Sequence, residues 1–234
     1  MEIHAPLSGI AVPLAEVPDE VFARLMVGDG LAIDPTSSQV LAPFAGTISQ
    51  LHQARHALAI TSPEGVEVLV HVGLDTVSLK GHGFTSLVKL GDQVVAGQPL
   101  IAFEADVVGR AARSLITVVV VTNLKDGQKL VATKARELVA GSSVLLTLDA
   151  TPAPTAAPRA PSSSPLAAMP SVGTGTVVRS SPIVLPNPSG LHARPAAVLA
   201  QQAKHFVSTV LLFRGTASAN LKSVVSVINL ASIA

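Results

Sequence analysis

The sequence predicts two modules of unlike class. Residues 1–150 should form an all-β sandwich or barrel-like domain. Residues 181–234 should form a truncated α/β module of open-faced β-α-β-β-α order, and a Pro/Ala/Ser-rich linker over residues 151–180 should join the two. Three observations carry this. Short Val- and Ile-rich runs alternate with turn signals through the first stretch. Prolines crowd the middle one. Beyond residue 181 the apolar period lengthens from that of a strand to that of a helix.

In the first stretch the turns are Ala42-Pro43-Phe44-Ala45-Gly46, Ser62-Pro63-Glu64-Gly65, Leu90-Gly91-Asp92, Ala96-Gly97-Gln98-Pro99 and Lys125-Asp126-Gly127. Their recurrence suits a sandwich or small barrel. A short helical piece is expected from Asp19 to Arg24 after Pro18, with Val21 and Phe22 facing inward. In the linker, Pro152, Pro154, Pro158, Pro161, Pro165 and Pro170 break any helix or ladder, and few side chains are large enough for a core. In the last stretch Ile183-Val184-Leu185 reads as a strand and residues 193–206 as a helix. That helix has Ala197, Val198, Leu199 and Ala200 crowding one side. Residues 207–213 read as a strand, Arg214-Gly215 as a turn, and residues 222–234 as a second helix.

Composition narrows the chemistry. At about 150 residues per domain, 234 residues make roughly one and a half domains. Hydrophobic residues are 48% and charged residues 13%, the reverse of a disordered chain. Sixteen Lys and Arg against fifteen Asp and Glu leave a net charge of +1, without the basic excess of a nucleic-acid binder. With six Phe and no Tyr or Trp, stacking of bases or sugars is not expected. The absence of cysteine removes disulfides, thiolate metal sites and thiol nucleophiles, leaving seven histidines as the soft nucleophiles. No apolar run reaches the roughly 18–20 residues of a membrane span, and the start lacks the pattern of a signal peptide. A cytoplasmic protein, not integral to a membrane, is expected.

Two histidines flank one predicted hairpin. If Ser62-Pro63-Glu64-Gly65 is a tight turn, Thr61 pairs with Val66 and His56 with His71. The two imidazoles would then share a face with Leu58, Ile60 and Leu69. Opposed Cβ atoms in such a pair lie about 4.5–5.5 Å apart, and a one-residue slip would turn one ring to the other face. Two facing imidazoles suit a metal site with further ligands, general acid–base work, or covalent catalysis with one nucleophilic histidine.

These residues resemble a known family. Pro6-Leu7-Ser8-Gly9, the run from Val17 to Ala23, Val27-Gly28-Asp29-Gly30, the run from Val70 to Val77 and Lys80-Gly81-His82-Gly83-Phe84 resemble the glucose-type EIIA domain of the bacterial phosphoenolpyruvate-dependent sugar phosphotransferase system. The resemblance covers residues 3–148. It implies a β-sandwich with His71 as phosphoacceptor, His56 as its hydrogen-bonding neighbour, and Asp19 and Asp75 at the docking surface. One departure stands beside the first histidine. The family often carries Thr-Asn there, and this chain carries Ala54-Arg55, without the hydroxyl that would orient an imidazole. The stretch around Gly91-Asp92 and Gly97-Gln98 also occurs in biotinyl and lipoyl carrier domains, but no exposed Lys stands at a hairpin tip.

In the second module Pro195 falls in a first helical turn, where its missing N–H costs nothing. His192 then sits beside free backbone N–H groups at the positive helix end, which suits a phosphorylated ring. Arg194 can pair with phosphate or with a partner's carboxylates. Gly190-Leu191-His192-Ala193-Arg194-Pro195-Ala196 resembles the active-site motif of HPr, the small phosphocarrier of the same system. That implies His192 as phosphoacceptor with Arg194 as its partner. Ser223 aligns with a serine that a regulatory kinase modifies in some bacteria, against its plainer reading as a helix N-cap. Counted from Ser181, the module would be incomplete, so the chain is expected to be the front part of a longer multiphosphoryl transfer fusion with Enzyme I following.

The expected function is a phosphohistidine relay. Phosphate passes from phospho-Enzyme I to His192, then to His71, then to an EIIB/EIIC sugar permease of glucose or N-acetylglucosamine type. No cofactor is required, although zinc can bind at His56 and His71 without a catalytic part. An alternative is a regulatory module whose unphosphorylated EIIA surface controls metabolic enzymes or transporters. A third, a metal-dependent hydrolase, lacks a His-x-His pair and acidic ligand spacing.

Overall fold

The computed structural model describes residues 1–125, 127–149, 178–182 and 193–222, together with Val227 and Leu230. The described residues before position 150 form fourteen strands: β1 (Glu2–His4), β2 (Gly9–Val12), β3 (Asp29–Pro35), β4 (Gln39–Leu41), β5 (Gly46–Leu51), β6 (Ala57–Thr61), β7 (Glu67–His71), β8 (Phe84–Ser86), β9 (Gln93–Val94), β10 (Pro99–Phe103), β11 (Thr117–Val121), β12 (Lys129–Ala132), β13 (Glu137–Leu138) and β14 (Val144–Asp149). Helix α1 (Glu20–Ala23) follows β2, and α2 (Ala105–Ala111) follows β10. The mostly-β first module expected from the sequence is observed.

One eight-stranded sheet runs β13-β2-β3-β11-β7-β6-β5-β9, and two three-stranded sheets run β1-β14-β12 and β4-β10-β8. Every pairing is antiparallel. The large sheet is covered on both faces. Its inner face joins Ile33, Ile48, Leu58, Ile60, Val68, Val70, Val119 and Val121 to Ile3, Leu100, Ile101, Leu145 and Leu146 of the small sheets. Its other face gathers Ala32, Ala59, Leu69, Val118 and Val120 under Leu14, Val17, Val21 and Phe22. This explains why β11 reads Thr-Val-Val-Val-Val without polar alternation. A central strand coated on both faces buries every side chain, and all five here are buried. Helix α1 is held over the second face by Asp19, whose Oδ1 accepts the Val21 N–H at 2.9 Å.

The β6–β7 hairpin departs from its predicted register by one residue. Thr61 pairs with Glu67 and Ala57 with His71, so His56 is not opposite His71. The turn is one residue longer than a four-residue turn. The Ser62 N–H reaches the Val66 carbonyl at 2.9 Å, and Gly65 takes φ +84°. Only a residue that accepts positive φ can close this looped form, and Gly65 permits it. His71 therefore shares its face with Ala59 and Leu69, not with Leu58 and Ile60, which point into the inner core.

Beyond the linker, α3 (Ala193–Lys204) and the hairpin β15 (Leu211–Arg214) and β16 (Ala217–Asn220) are described, and Val227 and Leu230 are helical. The strand predicted from residue 207 begins only at Leu211. Helix α3 buries Ala196, Ala200 and Ala203, spaced as one helical face, while Val198 is 46% exposed and so lies off the side assigned to it. Helix α3 lies against α1. Ala196 and Ala200 join the same apolar cluster as Val21 and Phe22. The predicted strand at Ile183-Val184-Leu185, most of the linker and most of the final predicted helix lie outside the described residues.

Candidate functional site

His71 is the last residue of β7, at the end of a fully apolar run. The backbone turns sharply after it. Gly73 takes φ +67°, and a Cβ there would stand 2.7 Å from Thr76 Cγ2 and 2.9 Å from the Ser114 carbonyl oxygen. The turn is pinned from both sides. Leu74 N–H donates to the Ser114 carbonyl at 2.8 Å, and the Thr76 hydroxyl donates to the Val72 carbonyl at 2.9 Å. This aims the Gly73 carbonyl back at the histidine, where it meets Nδ1 at 2.8 Å. A carbonyl can only accept, so Nδ1 carries the ring proton and Nε2 keeps the lone pair.

The ring is also held neutral. Burial of the imidazole lowers its pKa from 6.5 to about 4. The Gly73 carbonyl and the Asp19 carboxylate oppose that shift, and the charge of His52 adds to it. Around the ring, Phe22 stands with centroids 5.4 Å apart and His56 meets it edge-on at 4.8 Å. A neutral imidazole with one nitrogen tied back and the other bearing its lone pair is a nucleophile across the neutral range.

His56 reaches His71 by a route other than strand pairing. It precedes β6, after a tight turn in which Arg55 takes φ +57°. The turn is closed by Arg55 N–H to the His52 carbonyl at 2.7 Å and by His52 N–H to the Ala57 carbonyl at 2.9 Å. The positive φ at Arg55 precedes His56, and the Val72 N–H donates to the His56 carbonyl at 2.8 Å, so the two rings meet although they are not opposite each other in the ladder. His56 is only 3% exposed. A metal at these rings would need at least one more ligand, and among the described residues no group of three His, Cys, Asp or Glu side chains converges as a metal site.

Asp19, the N-cap of α1, lies within electrostatic reach of His71. Asp75 is exposed, with φ +59°, two residues past Gly73. Arg194 lies in the first turn of α3. His192 and Ser223 lie outside the described residues. Two contributors were missed by the sequence reading: the Gly73 carbonyl and the His52 ring, whose centroid is 4.4 Å from that of His56. The pattern His71-Val72-Gly73, a glycine two residues past a strand-end histidine, was the available signal for the first. Nothing local signalled the second.

Comparison with known proteins supplies the setting. Residues 1–127 match the family model for the phosphoenolpyruvate-dependent sugar phosphotransferase system, EIIA 1. Residues 180–233 match the model for the HPr component phosphorylation site of that system. The chain is similar to the glucose-specific EIIA component of Halalkalibacterium halodurans, 45% identical over 146 residues, which are 62% of this chain and 84% of that protein. It is also similar to the N-acetylglucosamine-specific EIICBA component of Escherichia coli, 42% identical over 144 residues, or 62% of this chain but only 22% of that protein. Among solved structures, the glucose permease IIA of Mycoplasma capricolum is similar, with a TM-score of 0.59 and 36% identity over 62% of this chain and 94% of that one.

Proposed function

As the chain belongs to the EIIA 1 family of the phosphoenolpyruvate-dependent sugar phosphotransferase system, we propose that it is a cytoplasmic phosphohistidine relay. Phospho-Enzyme I phosphorylates His192, His192 passes the group to His71, and His71 passes it to a cysteine on the EIIB part of a membrane sugar permease. The observation that carries this is the tautomer of His71, with Nδ1 held by the Gly73 carbonyl. The Nε2 lone pair attacks phosphorus, the N–P bond of the donor breaks, and the donor ring keeps the electron pair. Little other chemistry is needed than in-line geometry and charge neutralisation. His56, whose ring meets that of His71 edge-on at 4.8 Å, would donate an N–H to the phosphoryl oxygens. No cofactor enters the step, and zinc on His71 would occupy the lone pair that must attack.

The first and last transfers belong to partners. That the same domain occurs in glucose- and N-acetylglucosamine-specific EIICBA proteins supports a permease acceptor. The inner transfer is supported by α3 lying against α1 beside Phe22. Asp19 and Asp75 would receive Arg194 as opposite charges at the docking surface. The surface around His71 would also serve the second reading, a regulatory module that binds partners in the unphosphorylated state.

Incubation with Enzyme I and labelled phosphoenolpyruvate tests the relay. Wild type should carry acid-labile label on both histidines. His71→Ala should hold label on His192 only, and His192→Ala should take none. Label on neither histidine of the wild type overturns the proposal.

A further inference from the structure

His52 has no part in the relay as described, yet it completes a row of three imidazoles. Its ring lies 4.4 Å from that of His56 with the planes inclined at 56°, and His56 meets His71 at 4.8 Å and 72°. Separations in this range are those at which flat side chains pack as specific pairs. His52 is itself anchored. The Ala54 N–H donates to its Nδ1 at 3.1 Å, so in the neutral ring the proton sits on Nε2. Its backbone N–H and carbonyl both bond within the Leu51–Ala57 turn. Ring and main chain are thus fixed together one turn ahead of His56. Ala54 itself offers only a methyl, so the hydroxyl expected to orient the imidazole is missing from this turn. Phe84 is the other flat ring beside His56, at 6.3 Å.

We propose that His52 is a positioning residue for phosphoryl transfer: its anchored ring fixes the plane of His56, so that His56 presents an N–H to the phosphoryl group on His71. The inference rests on the reading of His71 as phosphoacceptor. A catalytic group must be held close to its productive orientation by neighbours that are themselves locked, and misplacing one can cost on the order of 100-fold in rate.

Two measurements on the full chain test this separately from the relay. The first is NMR relaxation of the imidazole ring C–H groups without phosphate. The His56 ring should be rigid in wild type and in His52→Phe, which keeps a flat ring. It should be mobile about its side-chain torsion in His52→Ala. The second is the rate of His71 labelling from phosphorylated donor. His52→Ala should lower the maximal rate roughly 10–100-fold with little change in donor KM, and His52→Phe should restore most of it. If His52→Ala fails to fold, His52→Leu, which fills the space without a ring plane, carries the same expectation. An unchanged mobility of the His56 ring in His52→Ala, or an unchanged rate in a variant that folds, overturns the role of His52. A wild type that takes no label on His71 overturns the relay instead, and the ring-mobility result still decides whether His52 orients His56.

Discussion

In His71, the proposed phosphoacceptor, two opposed influences meet on one ring. Partial burial favours the neutral imidazole, while the Gly73 carbonyl fixes which nitrogen keeps the proton. An NMR titration of this ring should therefore show a midpoint near 4. A midpoint near that of a solvated imidazole would mean that water reaches the ring and would sink this account. Acceptance of phosphate should show no limb from His71 protonation above about pH 5. The same shift sets a stability slope. The unfolded ring takes a proton near pH 6.5 and the folded ring only near 4, so acidification across that window favours the unfolded chain. The contribution of His71 is fully present above that window. His71→Gln should flatten the fall of the urea midpoint between those pH values, and an identical slope in the variant would exclude this origin. At this scale the sequence was readable only in part. It displayed two candidate imidazoles near an apolar strand, but the tautomer depends on a carbonyl brought round by the Gly73 turn.

At the scale of the element, the β6–β7 hairpin shows where local reading stops. The apolar runs, the turn residues and the strand-end position of His71 could all be read from the sequence. The register could not, because Ser62-Pro63-Glu64-Gly65 accommodates either a four-residue turn or the looped form that Gly65 closes. Which one forms is decided by burial: the observed register sends Leu58, Ile60, Val68 and Val70 inward and leaves Ala59, Leu69 and His71 on the site face. The turn after His71 is equally committed to its conformation. Gly73→Ala places a Cβ against Thr76 and the Ser114 carbonyl at positive φ. It should cost about 2 kcal/mol or more, read as a lower urea midpoint. It should also slow labelling of His71, because the carbonyl that holds Nδ1 must shift. A variant with unchanged stability and labelling would show that the turn tolerates a side chain. Gly65, with nothing near its Cβ position, should show only the conformational penalty of its positive φ.

For the whole molecule, the Pro/Ala/Ser-rich composition of residues 151–180 predicts a spacer between two modules. A spacer of about 30 residues would span roughly 30 Å r.m.s.. Tethering at such a distance gives a high effective concentration, and α3 resting on α1 is the contact such a tether would favour. Cleaving the linker at a site engineered within residues 151–170 should slow transfer from His192 to His71 at low micromolar protein, and raising the concentration should restore it. Transfer that is equally fast after cleavage would remove any role for the tether. At this scale the sequence by itself determined a great deal. Composition excluded thiol chemistry and argued against nucleic-acid binding, the proline cluster marked a division, and periodicity separated a β module from an α/β one. Those properties are local, and a linear pattern can carry them. The tertiary structure alone decided the rest: the hairpin register, the tautomer of His71, the meeting of His56 with His71 from positions that are not opposite each other, and the third ring of His52. Each depends on groups that are brought together by sheet packing and positive-φ turns. No spacing along the chain encodes such a meeting.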